Sequence, residues 1–318
     1  VSEPGAEAGE ERVERGVIVE GTGGVWRVHA RDGVMRDAAL AGRLKQEDRG
    51  APKLAVGDHV TIEPAEGAAW RIIAIEPRTS VLARREPGRK HGERVLAANV
   101  DQVFVTFAVA NPDPHVRMID RFLVICEGNH LHAHLLLNKV ELVADQAVVD
   151  ALARPYERAG YTVFRTSAKR GDGLDGLRAA LEGRVTAFTG PSGVGKSSLL
   201  NTLHPGLALR TQEISQSVNK GRHTTVGSKL IPLPTGGYLV DTPGLREVGM
   251  WNLPSGSLDQ CFPEFRPLLG ECRFQDCSHR TEPGCAVREA VAKGTVDAGR
   301  HESYLKLVEE LRLAEHAW

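Results

Sequence analysis

The chain has 318 residues, of which 41% are hydrophobic, 25% charged and 5% aromatic, with a formal net charge of −1. That length allows two or three domains with real cores. The absence of an apolar run near the roughly 18 residues of a membrane helix argues against a spanning segment, and the near-neutral charge gives no global signature of nucleic-acid binding.

The first stretch, residues 1–14, holds five Glu against one Arg and lacks an apolar core. It is predicted to be a solvated acidic tail and not a signal peptide. Residues 15–82 read as a small closed barrel. The runs Gly16–Val19, Val25–Val28, His59–Glu63 and Arg71–Ile75 are short β-like segments, and Gly21-Thr-Gly-Gly24 is a hairpin signal between the first two. Residues 83–98 read as a basic linker, because Arg84–Arg94 carries five Arg/Lys against two Glu.

From 99 to 253 strands alternate with helices, the pattern of a parallel sheet covered on both faces. Strands are predicted at Val100–Ala110, Leu131–Leu137, Tyr161–Arg165, Arg184–Thr189 and Tyr238–Val240. Helices are predicted at Pro114–Glu127, Asp145–Ala159, Leu174–Leu181 and from Lys196 to Leu203. Residues 254–318 turn helical, with helices expected over Ala286–Lys293 and Arg300–His316. His130, His132 and His134 share one face of a predicted strand and are read as lying along a partly solvated sheet face.

Four motifs carry the chemistry. Gly190-Pro191-Ser192-Gly193-Val194-Gly195-Lys196-Ser197 fits G-x-x-x-x-G-K-[ST], placed between a strand and a helix that continues through Ser198. Glycines let backbone N–H groups approach phosphates, and the helix adds its positive end. Lys196 is expected to reach the β- and γ-phosphates, and Ser197 to ligate Mg²⁺. Asp241-Thr-Pro-Gly244 follows Lys196 by 45 residues, at the end of an apolar strand. There the acid can hold Mg²⁺ through water, and Gly244 can offer a backbone N–H to the γ-phosphate. Between them, the polar Asn219–Val226 loop is a candidate switch, in which a Thr hydroxyl completes the Mg²⁺ shell.

Asn138-Lys139-Val140-Glu141 closes the strand ending at Leu137. A carboxylate in such a loop accepts from guanine N1–H and the 2-amino group, which adenine lacks. Lys139 packs along the base and Asn138 ties the loop together. Ser167-Ala168-Lys169 closes the next strand, where a backbone N–H can meet the guanine oxygen. The fourth motif is Cys272-x4-Cys277-x-His279-x5-Cys285. Three thiols and an imidazole suit tetrahedral Zn²⁺ in a structural site. The remaining cysteines, Cys126 and Cys261, read as small core residues, and the odd total argues for a reducing compartment.

The order of these motifs resembles that of the RsgA (YjeQ) family of circularly permuted, ribosome-associated GTPases. The guanine motifs at Asn138 and Ser167 precede the phosphate loop at Gly190, where ordinary GTPases have the reverse. The Gly221-Arg-His-Thr-Thr225 loop and the Cys/His cluster strengthen the likeness. The resemblance implies an OB barrel, a permuted P-loop GTPase domain and a zinc-binding domain. It also implies GTP/GDP with Mg²⁺, one structural Zn²⁺, and the small (30S) ribosomal subunit with its 16S rRNA as partners, in the cytoplasm. A monomer is expected.

Two positions depart from the family pattern. The guanine motif ends in Glu141 where Asp is usual, and Val226 replaces a third Thr, so the metal role falls to Thr225. No Gln follows the Asp241 motif; Leu245 stands there, and the family's proposed substitute for orienting water is the switch-loop His, here His223. A competing reading is an RNA-binding module with a vestigial or ATP-tolerant nucleotide site.

Overall fold

The computed structural model describes residues 13–42, 53–65, 69–85, 93–207, 228–241 and 255–316. Residues 1–12 of the expected acidic tail, the switch loop with His223 and Thr225, and Gly244 lie outside these residues, while Glu14, the last residue of that tail, opens the first strand.

The first five strands are β1 (Glu14–Thr22), β2 (Val25–Ala30), β3 (Met35–Leu40), β4 (His59–Pro64) and β5 (Trp70–Ile75). They close into a barrel in the order β1-β2-β3-β5-β4, with β1 pairing back onto β4. Closure removes both sheet edges. The inward residues Ile18, Val28, Ala38, Val60, Ile62 and Ile72 are buried. Asp58 is also fully buried, and its carboxylate accepts from Arg78 Nε at 2.7 Å and from the Ala55 N–H at 2.8 Å.

Strands β6 (Val81–Arg85) and β7 (Glu93–Ala98) form a separate antiparallel pair. Residues 83–85 and 93–98 of the stretch read as a linker lie in these strands, and residues 86–92 are outside the described residues. The polar sequence of this stretch hides the pairing, because ladder bonds are made by backbone whatever the side chains. The hairpin is fastened to the barrel: the Ala98 N–H donates to Val56 O at 2.8 Å, and a Cβ on Gly57 would lie 2.0 Å from Ala98 O.

The central sheet contains β8 (Gln102–Ala108), β9 (Ala133–Asn138), β10 (Val163–Thr166), β11 (Val185–Thr189), β12 (Lys229–Pro232) and β13 (Tyr238–Asp241). Their order is β10-β9-β8-β11-β13-β12, parallel except for β12 at the edge. Every residue of β8 and β9 is buried, as both faces are covered. On one face Val103, Val105 and Phe107 pack with Ile119 and Leu123 of α1 (Val116–Gly128) and with Val149 and Ala153 of α2 (Gln146–Arg158). On the other, Phe104 stacks on Phe188 at 5.1 Å and meets α3 (Leu174–Leu181) and α4 (Lys196–Leu203).

The chain steps from β8 outward to β10 and then returns to place β11 on the other side of β8. That reversal is a topological switch point, and ligands in such sheets bind beyond the strands' carboxyl ends there. Both Asn138 and Gly190 begin loops at that end.

The barrel meets the sheet's β12/β13 edge through His29 Nδ1 and the Tyr238 hydroxyl, 2.8 Å apart, and through Lys229 and Glu20 at 2.5 Å. The C-terminal part has a 3-10 segment, Ser255–Cys261, with α5 (Ala286–Ala292) and α6 (Ala298–His316). It joins the sheet domain through Arg300, which is 1% exposed. Arg300 bonds Asp120 of α1 at 2.8 Å and Glu264 at 2.7 and 3.0 Å. Among the described residues no helix is long and apolar enough to cross a membrane.

The expected histidine row is broken. His130 sits at φ 54° before the strand, His132 is exposed, and His134 is buried against Phe104 and Phe164. Among the described residues, the group placed to hold a metal is the Cys/His cluster.

Candidate functional site

The phosphate loop follows from the end of β11. Thr189 pairs with Val105, and Gly190 then turns at φ 135°. A Cβ on Gly190 would sit 2.0 Å from Thr106 O, so only glycine lets the loop pass this close to β8. Gly193 and Gly195 also have positive φ, at 78° and 92°. Val194 is 1% exposed and pins the loop inward, while Ser192 and Gly193 face solvent. Lys196 opens α4; its Nζ donates to Gly190 O at 2.8 Å and Pro191 O at 2.7 Å, so the ammonium is folded back over the loop. Ser197 is buried beside it, and Ser198 is exposed.

The guanine-reading loops are tied to this loop. Asn138 ends β9 in register with Thr166 of β10. Its Nδ2 donates to Val194 O at 2.9 Å, and its Oδ1 accepts from the Thr166 hydroxyl at 3.2 Å. Lys139 takes the left-handed conformation at φ 63°, and its ammonium donates to Asn111 O. Glu141 follows within the same 3-10 turn, and its Oε2 is buried with no hydrogen-bond partner among the described residues. An orphaned carboxylate oxygen is costly unless a ligand completes it.

Ser167 is fully buried, and its Oγ accepts from the Arg170 N–H at 2.9 Å. Ala168 O accepts from Thr202 of α4 at 3.4 Å, and Lys169 is exposed. The three loops expected to hold a nucleotide thus meet at one end of the sheet. Thr166 was not anticipated from sequence. Its role depends on strand register, which local pattern does not carry.

Asp241 ends β13 opposite Lys229 of β12. Burial raises its carboxyl above the ordinary value, against the pull of Lys229. A divalent cation would stabilise the ionised form there. The cradle, the orphaned Glu141 oxygen and this acid fit a guanine nucleotide with Mg²⁺.

The ligand atoms of Cys272, Cys277, His279 and Cys285 all lie within 4.8 Å of one another. Cys272 Sγ is 3.9 Å from Cys285 Sγ, and His279 Nδ1 is 3.6 and 3.4 Å from these two sulfurs. A tetrahedral zinc with bonds of about 2.0–2.3 Å spaces its ligands roughly 3.5–3.8 Å apart, so the residues fit that ion. Burial opposes ionisation of Cys285, yet the Arg288 N–H and His279 hold its thiol below the ordinary value. A thiolate is the form that binds metal.

Comparison with known proteins agrees with this assembly. A family model described as RsgA GTPase matches residues 75–251. The chain is 58% identical over 298 residues to a protein of Gemmatimonas aurantiaca named small ribosomal subunit biogenesis GTPase RsgA, covering 93% of this chain and 97% of that one. It is 38% identical over 300 residues to the protein of the same name from Bacteroides fragilis, covering 93% and 96%. The fold is similar to YjeQ from Thermotoga maritima (TM-score 0.79, 33% identity, 94% of this chain and 98% of that one). It is also similar to YloQ, described as a circularly permuted GTPase (TM-score 0.77, 26% identity, 97% and 98%). With its guanine loops ahead of its phosphate loop and the Asn138–Val194 hydrogen bond tying them together, this chain is a circularly permuted GTPase and belongs to the RsgA GTPase family.

Proposed function

We propose that this protein binds the small (30S) ribosomal subunit and its 16S rRNA and hydrolyses GTP to GDP and phosphate late in subunit maturation. The observation that carries the nucleotide reading is the junction of Asn138 with Val194, which sets the guanine loop against the phosphate loop. The ribosomal part is supported by the names of the relatives, small ribosomal subunit biogenesis GTPases. On this reading it acts as a monomer in the cytoplasm, where subunits are assembled. A barrel over 15–82, a GTPase domain over 99–253 and a zinc-binding domain over 254–318 belong to the same proposal.

The residues divide by chemistry. Asn138, Lys139 and Glu141, with Ser167, Ala168 and Lys169, hold the guanine. Gly190, Pro191, Ser192, Gly193, Val194, Gly195, Lys196, Ser197 and Ser198 cradle the phosphates with backbone N–H groups and one ammonium. Ser197, Thr225 and Asp241 would hold Mg²⁺, which would neutralise the charge that builds on the phosphates. Gly244 donates a backbone N–H to the γ-phosphate. Lys196 leaves its loop carbonyls to reach the phosphates and stabilise charge as water attacks phosphorus and the bond to the β-phosphate oxygen breaks. His223 orients that water. Cys272, Cys277, His279 and Cys285 hold a structural Zn²⁺ that fixes the loops around it.

The test is hydrolysis of GTP and of ATP with and without purified small subunits. The reading expects slow GTP turnover, stimulated by subunits, and little ATP turnover. Preference for ATP, or no stimulation, overturns it. His223→Ala should lower the stimulated rate and leave nucleotide affinity intact.

A further inference from the structure

The Cys/His cluster has a carboxylate behind it. His279 turns Nδ1 toward the sulfurs of Cys272 and Cys285. Its Nε2 therefore lies on the far side of the ring, and there Asp259 Oδ2 stands 3.5 Å away. The imidazole is 3% exposed and the carboxylate 20%, so water competes weakly for this pair. An imidazole that binds metal through Nδ1 keeps its proton on Nε2, and a carboxylate at Nε2 fixes that tautomer and the ring's orientation.

Asp259 stands on an anchored element. It belongs to the 3-10 segment Ser255–Cys261, whose Leu258 and Cys261 are buried, and its other oxygen accepts from the Gln260 N–H at 2.8 Å. The backbone of the ligand segment is held separately by α6. His301 Nε2 lies 2.9 Å from His279 O, and the Tyr304 hydroxyl donates to Ser278 O at 3.0 Å. These bonds hold His279 in the left-handed region, at φ 58°. Backbone placement and ring orientation thus have different owners, and Asp259 owns the second.

We propose that Asp259 is a positioning residue for the zinc centre: it accepts the Nε2–H of His279 and raises the affinity of the four-residue site for the metal. This rests on the reading of that cluster as a zinc site. The experiment uses the full chain, with zinc content by elemental analysis and affinity by competition with a chromophoric chelator. The cobalt(II) form, read by its visible absorption, reports ligand geometry. We expect one zinc per wild-type chain. In Asp259→Ala the affinity should fall about 10–100-fold while saturating zinc restores one metal per chain. Asp259→Asn should fall between the two, and Asp259→Glu should recover most of the loss. Guanine-nucleotide affinity should not change in any of them. A wild-type chain that binds no zinc overturns the metal reading and the proposal together. Stoichiometric zinc in the wild type, with Asp259→Ala and Asp259→Asn both within twofold of its affinity, overturns the proposal alone.

Discussion

Asn138 at the end of β9 and Val194 in the phosphate loop are joined by a hydrogen bond of 2.9 Å across 56 residues of chain. The bond is buried, and the same side chain accepts from Thr166, so one amide ties together two guanine loops and the phosphate loop. A Cβ on Gly195 would lie 2.5 Å from that amide nitrogen, which shows how closely the loops pass. Asn138→Ala removes two buried bonds at about 1 kcal/mol each. We expect GDP affinity to fall roughly 10–100-fold, measured by titration with a fluorescent GDP analogue. Wild-type affinity in this variant would show that the tie does not support the site.

Glu141 presents a buried oxygen that no described residue satisfies. It lies in the 3-10 turn Val140–Leu142, directly after the left-handed Lys139 that caps that turn. If guanine completes that oxygen, Glu141→Ala should cost GDP binding about 2–4 kcal/mol, since a charge-assisted pair is lost and the base edge is left unmet. ADP affinity should stay where it is. Competition of GDP and ADP for the same fluorescent probe reads both, and equal losses for the two nucleotides would remove base recognition from Glu141.

Much of this site was legible because its signals are local. The helices Leu174–Leu181 and Lys196–Leu203 appear with the bounds expected from their apolar spacing and the glycines before them. The cysteine spacing likewise converged on one point. What escaped depends on distant partners. Strand β3, Met35-Arg-Asp-Ala-Ala-Leu40, buries only Ala38 deeply and becomes a strand by pairing with β2 and β5. Strand β12 is a four-residue edge defined by its pairing with β13. Arg300 reads as a surface charge in a helix, and nothing local says that Asp120 and Glu264 will meet it in the core.

That buried triad makes a strong demand on stability. Arg300 also lies over the rings of Phe262, Tyr156 and Tyr161, at 4.8, 5.5 and 5.6 Å. Truncating it leaves two acids buried without a cation, so Arg300→Met should destabilise the folded chain by about 3–5 kcal/mol. The double variant Arg300→Met with Asp120→Asn should recover part of this, because one stranded charge is removed. Urea unfolding followed by circular dichroism measures both. A cost below about 1 kcal/mol would mean that the triad does not hold the C-terminal part against α1.

His134 makes stability depend on pH. Its ring is buried between Phe104 and Phe164, its Nε2 lies 3.2 Å from Gln102 Oε1, and its Nδ1 has no partner among the described residues. Burial is the main force that pushes its pKa down to about 4, and the neighbouring His132 and Arg184 add to it. The unfolded chain returns the group to 6.5. Between those values the unfolded state binds the extra proton and the folded state does not, so stability rises with pH across that window. The contribution is complete above pH 6.5, is lost as pH falls toward 4, and changes no further below. From pH 7 to pH 5 the loss from this one group is about 2 kcal/mol. Carboxylates and His204 also titrate on acidification, so the comparison needs a variant. His134→Leu keeps an apolar side chain against the two phenylalanines and removes the titration. The difference in unfolding free energy between pH 7 and pH 5 should then be smaller by about 2 kcal/mol than in the wild type. An unchanged difference would place the proton-linked cost on another group.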